Sequence, residues 1–232
     1  MSQLHSGSWL IPSGNTKSKY SQALRPSAIP PNPMAECKLG HPIEEEIANI
    51  RRECLKGQSM ALVFQYGSNM STARLNSRDR LRGDAHAIGI AQTEGEYEFV
   101  FDIWSISNNC AAADLLSGNG RRIWGVLYEI PGWLIGRETA APRKSLDFIE
   151  GEGHNYTRQK ISLIDANGEP VRGPVITYVG LCHRPRIETS IDYVKHILVG
   201  LREHRIPEEY VDYVKNKIVA NNPSLELIAR PL

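Results

Sequence analysis

The sequence predicts an α+β domain that follows an unstructured segment. Three features carry this prediction. Between about residues 61 and 179, short runs rich in β-branched and aromatic residues alternate with Gly-containing turns. Beyond residue 190, two longer stretches repeat apolar residues at helical spacing. Ahead of about residue 41, neither pattern is present. Strands first and helices last define the α+β class.

Taken in chain order, residues 1–40 are rich in Ser, Pro, Gly, Asn and Lys, and read as a disordered tail. A helix is expected within 41–58. Ile43, Ile47, Ile50 and Leu55 lie near helical spacing, Glu44, Glu45 and Glu46 suit its first turn, and Gly57 stops it. The main domain is placed at 59–222, with a C-terminal tail at 223–232.

Within the domain, a strand over 61–65 ends in the turn Tyr66, Gly67, Ser68, Asn69, and Ser71 caps a short helix over 71–75. Strands follow at 86–91, 97–103, 111–115 and 123–130. Their short connections favour antiparallel pairing. Ser145 caps a short helix that turns Leu146 and Ile149 inward and carries Glu150 at its end. Further strands are expected at 156–164 and 175–179. Ser190 precedes a helix bearing Tyr193, Ile197, Leu198 and Leu201. Pro207, at a first helical position, opens another with Tyr210, Val211, Val214 and Ile218.

Composition narrows the function classes. Net charge is +1, which favours neither nucleic acid nor an anionic membrane as partner. No apolar run approaches the ~20 residues of a membrane span, and the N-terminus lacks the pattern of a signal peptide. Cys37, Cys54, Cys110 and Cys182 form no CxxC pair, so reduced thiols in a cytoplasmic protein are the simplest reading. The seven histidines form neither HxxxH nor HExxH, and no metal site is expected. Cys182 and His183, adjacent on a strand, would point to opposite faces.

Two stretches carry possible chemistry. A strand that stops at Gly67, Ser68 and Asn69 exposes several backbone N–H groups together, which can hold an anion or a polarised carbonyl. The second stretch runs Leu146, Asp147, Phe148, Ile149, Glu150, Gly151, Glu152, Gly153, His154. It sets acids between glycines and beside apolar side chains, where a carboxyl pKa rises toward neutrality. Each stretch taken alone also reads as an ordinary surface turn. There is no GxxxxGK[ST] phosphate loop and no GxSxG elbow around Ser68.

In series, these stretches resemble a known superfamily. Val63 to Met70 looks like the YGSN signature of the γ-glutamylcyclotransferases. Arg122 to Tyr128 looks like their central WGV strand, and Leu146 to Gly151 like their LDxxEG segment. The stretch from Tyr193 to Tyr210 is similar to their closing helix pair. The resemblance covers about residues 60–220. It implies a small mixed β-barrel with surrounding helices. It also implies an intramolecular reaction, in which the α-amine of an L-γ-glutamyl group attacks its own γ-carbonyl and 5-oxoproline is released. It assigns the acid–base role to Glu150 and substrate binding to Tyr66, Gly67, Ser68, Asn69, Met70, Tyr156, Tyr178 and Tyr193. No cofactor is implied. The expected partners are a small γ-glutamyl substrate and, at most, a second copy of the chain. Glu152 is a rival base. A γ-glutamylamine cyclotransferase, a tailoring enzyme that removes a γ-glutamyl group from a metabolite, and a non-catalytic binding module of the same fold are the alternatives.

Overall fold

The computed structural model describes residues 59–118, 120–136 and 144–229. The expected tail at 1–40 and helix at 41–58 lie outside the described residues.

Among the described residues, eight strands form: β1 (Met60–Gln65), β2 (His86–Thr93), β3 (Tyr97–Ser105), β4 (Cys110–Ser117), β5 (Trp124–Pro131), β6 (Tyr156–Ile161), β7 (Leu163–Asp165) and β8 (Val175–Gly180). Six of them make a curled, half-barrel sheet in the order β6-β8-β1-β5-β2-β7, and β3 and β4 make a separate two-stranded ribbon. The sheet is mixed: β1 runs parallel to β8 and antiparallel to β5. The helices are α1 (Thr72–Leu75), α2 (Leu146–Glu150), α3 (Ile191–Glu203), α4 (Glu208–Asn221) and α5 (Glu226–Ala229).

The curl follows from the order of strands. β6 and β7 are neighbours in the chain yet occupy opposite edges of the six-stranded sheet. The expected single strand over 156–164 therefore divides. At Ser162, whose carbonyl accepts from Glu94 N–H at 2.9 Å, the chain leaves its pairing with β8 and begins pairing with β2. A link this short requires the two sheet edges to lie close together, as a half-barrel allows.

Two further expectations are corrected. The connection at Glu94 and Gly95 is not a hairpin: β2 pairs with β5 and β7, while β3 pairs with β4. It is a corner between sheets, held by Thr93, whose hydroxyl donates to Gly95 O at 2.6 Å and accepts from Ile123 N–H at 3.0 Å. Pro207 stands one residue outside α4 as its cap rather than at its first helical position. Beyond α4, Pro223–Leu225 forms a 3-10 turn and buries Leu225.

Sequence-encoded caps start the helices. The hydroxyls of Ser71, Ser145 and Ser190 accept from the amides of Arg74, Phe148 and Tyr193 at 3.4, 3.2 and 3.3 Å. The core lies between the sheet and the helices; Val63, Val126, Tyr128, Val194 and Ile197 are wholly buried in it. Among the described residues, no helix is long and apolar enough to cross a membrane.

Candidate active site

The strand β1 ends at Gln65, and the chain enters a 3-10 turn over Ser68–Met70. Three contacts fix this turn. Met70 N–H donates to Gly67 O at 3.0 Å, the Tyr128 hydroxyl donates to Met70 O at 2.9 Å, and Gly200 of α3 lies directly against Met70 and Ser71. Across from it, α2 ends at Glu150 because Gly151 adopts the left-handed conformation (φ 69°, ψ 43°) that closes a helix.

A cleft of about 510 Å³ opens between these elements, lined by Ser68, Asn69, Glu150, Tyr156 and Tyr193, together with Arg74, Arg80 and Lys144. The half-buried Glu150 carboxyl presents Oε1 to two donors, Asn69 Nδ2 at 2.7 Å and Gln65 Nε2 at 3.2 Å. Arg80 in turn donates to Asn69 Oδ1 at 2.9 Å and so fixes which way the amide faces. Burial raises the Glu150 pKa above the usual carboxylate range. Arg80, the Asn69 and Gln65 donors, and Arg74 pull it part of the way back.

Of the other expected site residues, some reach the cleft and some support it. Tyr66, Gly67, Met70 and Tyr178 do not line it. Tyr66 donates to Tyr178 O at 2.6 Å, and the Tyr178 hydroxyl donates to Asp147 Oδ1 at 2.7 Å. Met70 is a core residue. The Tyr156 hydroxyl donates to Ala113 O at 2.7 Å, and that of Tyr193 accepts from Ala113 N–H at 3.0 Å. Burial, the largest cause, raises the pKa of all four tyrosines, so they remain neutral phenols and do not compete as bases. Glu152, the rival carboxylate, is absent from the lining.

Comparison with known proteins bears on this arrangement. The γ-glutamyl cyclotransferase, AIG2-like family profile matches residues 63–194, more than half of the 232 residues. The chain belongs to this family. A solved γ-glutamyl cyclotransferase is 22% identical, with a TM-score of 0.54, covering 66% of this chain and 84% of its own. An uncharacterized protein from Homo sapiens is also 22% identical, with a TM-score of 0.55 and coverage of 66% and 85%. YkqA from Bacillus subtilis is 21% identical, with a TM-score of 0.54, covering 73% of this chain and 58% of its own. At these identities the likeness is one of fold. No curated protein matches the chain in sequence.

Reading the sequence missed several residues of this γ-glutamyl cyclotransferase-like site. Gln65 is the last residue of an apolar strand, and only the end of β1 beside Glu150 gives it a role. Arg74 lies in α1 and Arg80 in the polar turn that follows it, where cations are common; Arg74 donates to Asn108 Oδ1 at 2.8 Å. The usable signal was their place within about a dozen residues of the YGSN turn.

Two results are expected from this geometry. Asn69→Ala removes a hydrogen bond that favours the ionised carboxyl, so the Glu150 pKa moves further up and the acidic limb of the kcat/KM profile shifts to higher pH. A pH–rate profile superimposable on wild type contradicts this role. Tyr193→Phe leaves the buried Ala113 N–H without its acceptor and is expected to cost about 1–3 kcal/mol of stability, read from denaturant midpoints.

Proposed function

We propose that the chain is a γ-glutamyl cyclotransferase that converts an L-γ-glutamyl amino acid into 5-oxoproline and a free amino acid. The observation that carries the reading is the Glu150 carboxyl at the cleft, oriented by Asn69 and Gln65 and raised in pKa by burial.

In this reading, the substrate's α-amine nitrogen attacks its own γ-carbonyl carbon. The new C–N bond closes the five-membered ring, and the carbonyl electrons move onto oxygen. Collapse of that intermediate expels the leaving nitrogen. Glu150 takes the proton from the attacking nitrogen and returns one to the departing nitrogen, so no water is consumed. Nucleophile and leaving group both belong to the substrate, which explains why no protein nucleophile is needed. Holding the chain in a near-attack geometry supplies much of the rate, and acid–base transfer contributes about 10²–10⁴-fold. The developing oxyanion is assigned to the amides of residues 67–69. No side chain caps the 3-10 turn that begins there, and the first amides of a helical turn have no acceptor within it.

The charge of the cleft favours a particular leaving group. Arg74, Arg80 and Lys144 line it against Asp79 and the reactive Glu150. Such a set suits a leaving amino acid that keeps its own carboxylate better than a simple amine. The test compares γ-glutamyl-alanine with γ-glutamyl-ethylamine, which differ only in that carboxylate. The expected kcat/KM is higher for the dipeptide by about tenfold or more. Equal values remove the preference. Binding of both without any 5-oxoproline leaves the non-catalytic module as the better reading.

A further inference from the structure

Away from the cleft, three side chains from three separate segments converge where the ribbon meets the half-barrel sheet. Asp102 lies on β3, Asp114 on β4, and His183 just beyond the end of β8. A β-bulge delivers the first of them. Phe101 pairs with Ala113 and Ile103 with Ala112, which leaves Asp102 as the extra residue. Its carbonyl accepts from Arg184 N–H at 2.7 Å, and Ile103 forms a bridge to His183, so the bulge and the chain after β8 are tied together.

The donor atoms are closely set. His183 Nδ1 stands 2.9 Å from Asp102 Oδ2 and 3.4 Å from Asp114 Oδ2, and one atom from each residue fits within 4.8 Å of both others. Neighbouring ligands of one ion at 2.0–2.2 Å bonds are separated by about 3–3.5 Å. Asp114 is wholly buried. Its Oδ1 accepts from Gly180 N–H at 2.7 Å, but its Oδ2, aimed into the cluster, has no hydrogen-bond partner among the described residues; nor does the buried Oδ1 of Asp102. A single imidazole N–H, already directed at Asp102, cannot satisfy all of these oxygens. Buried carboxylate oxygens without a donor are costly. His183 is about half exposed, which leaves an entry path and room for water ligands.

We propose that Asp102, Asp114 and His183 form a binding site for one first-row divalent transition-metal ion, which staples the β3–β4 ribbon to the end of β8. Two carboxylates and an imidazole suit Zn²⁺ or Mn²⁺ better than Mg²⁺ or Ca²⁺, which take oxygen ligands. None of the three residues lines the cleft, so the site is distinct from it. The ligands lie far apart in sequence, which is why no motif spacing announces them.

The test is calorimetric titration of Zn²⁺ and of Mn²⁺, each alone as the chloride, into the tag-free full chain at neutral pH. One saturable site per chain is expected, together with a rise in Tm on metal addition. Asp114→Asn and His183→Gln are each expected to weaken binding by about tenfold or more and to abolish the Tm rise. Because Asp114 is buried, the exposed His183 supplies the variant that tests binding without disturbing the core. The proposal is overturned if neither ion saturates a site below about 1 mM, or if His183→Gln binds as wild type does. In either case the cluster is a histidine–carboxylate ion pair only.

Discussion

Replacing Glu150 by Gln is expected to lower 5-oxoproline formation by about 10³-fold, within the usual range for loss of a positioned acid–base group, while the fold is retained. The amide oxygen of Gln can still accept from Asn69 and Gln65, so the site keeps its shape and loses only its proton acceptor. Stability should move the other way. Burial raises the Glu150 pKa above its unfolded value, so the folded chain holds this proton more tightly than the unfolded chain. That contribution is fully present below the unfolded pKa and is lost as pH rises through the folded pKa. Gln carries no such loss, so at alkaline pH the variant's Tm is expected to equal or exceed that of wild type. Full activity in this variant contradicts the assignment. Full activity here with loss in Glu152→Gln transfers the role to Glu152.

The second large effect is expected at Gly200, far from the carboxyl in sequence. Glycine inside a helix costs about 1 kcal/mol relative to alanine, so its place in α3 calls for a packing reason. A Cβ there would lie 2.5 Å from Met70 Cβ, 2.6 Å from Met70 C and 2.7 Å from Ser71 N. Two of these atoms are backbone, and no rotamer change relieves them. Gly200→Val must push α3 away from the 3-10 turn or shift the turn itself, at about 1–3 kcal/mol for overpacking. That turn carries Asn69, which holds Glu150. A displacement of about 1 Å at a positioning group costs up to ~10²-fold in rate. Both the unfolding midpoint and kcat/KM should therefore fall. Gly89→Ala, where a Cβ meets nothing within 4 Å among the described residues, is the control expected to lower neither. Wild-type stability and activity in Gly200→Val contradict the account of how the turn is held.

Much of this arrangement could be read from local sequence, for identifiable reasons. Capping is local chemistry, so Ser71, Ser145 and Ser190 announced their helices. The apolar run before the Gly67, Ser68, Asn69 turn marked a strand end in the same way. What escaped depends on pairing between distant segments. The break at Ser162 is invisible because strand-like composition continues across it while the pairing partner changes from β8 to β2. The bulge at Asp102 is a property of register, not of residue type. Among the tyrosines assigned to the pocket by resemblance, composition could not separate Tyr156 and Tyr193, which line the cleft, from Tyr66 and Tyr178, which do not.

The central claim is that the substrate's own α-amine is the nucleophile and Glu150 its proton carrier. The most direct test follows the products of γ-glutamyl-alanine and of its Nα-acetyl derivative by mass spectrometry, with the full-length chain. The account expects 5-oxoproline and alanine in equal amounts from the free amine, and neither product from the acetylated substrate. Glutamate in place of 5-oxoproline, or alanine released from the acetylated substrate, would mean that water or a protein group attacks the carbonyl, and would contradict it.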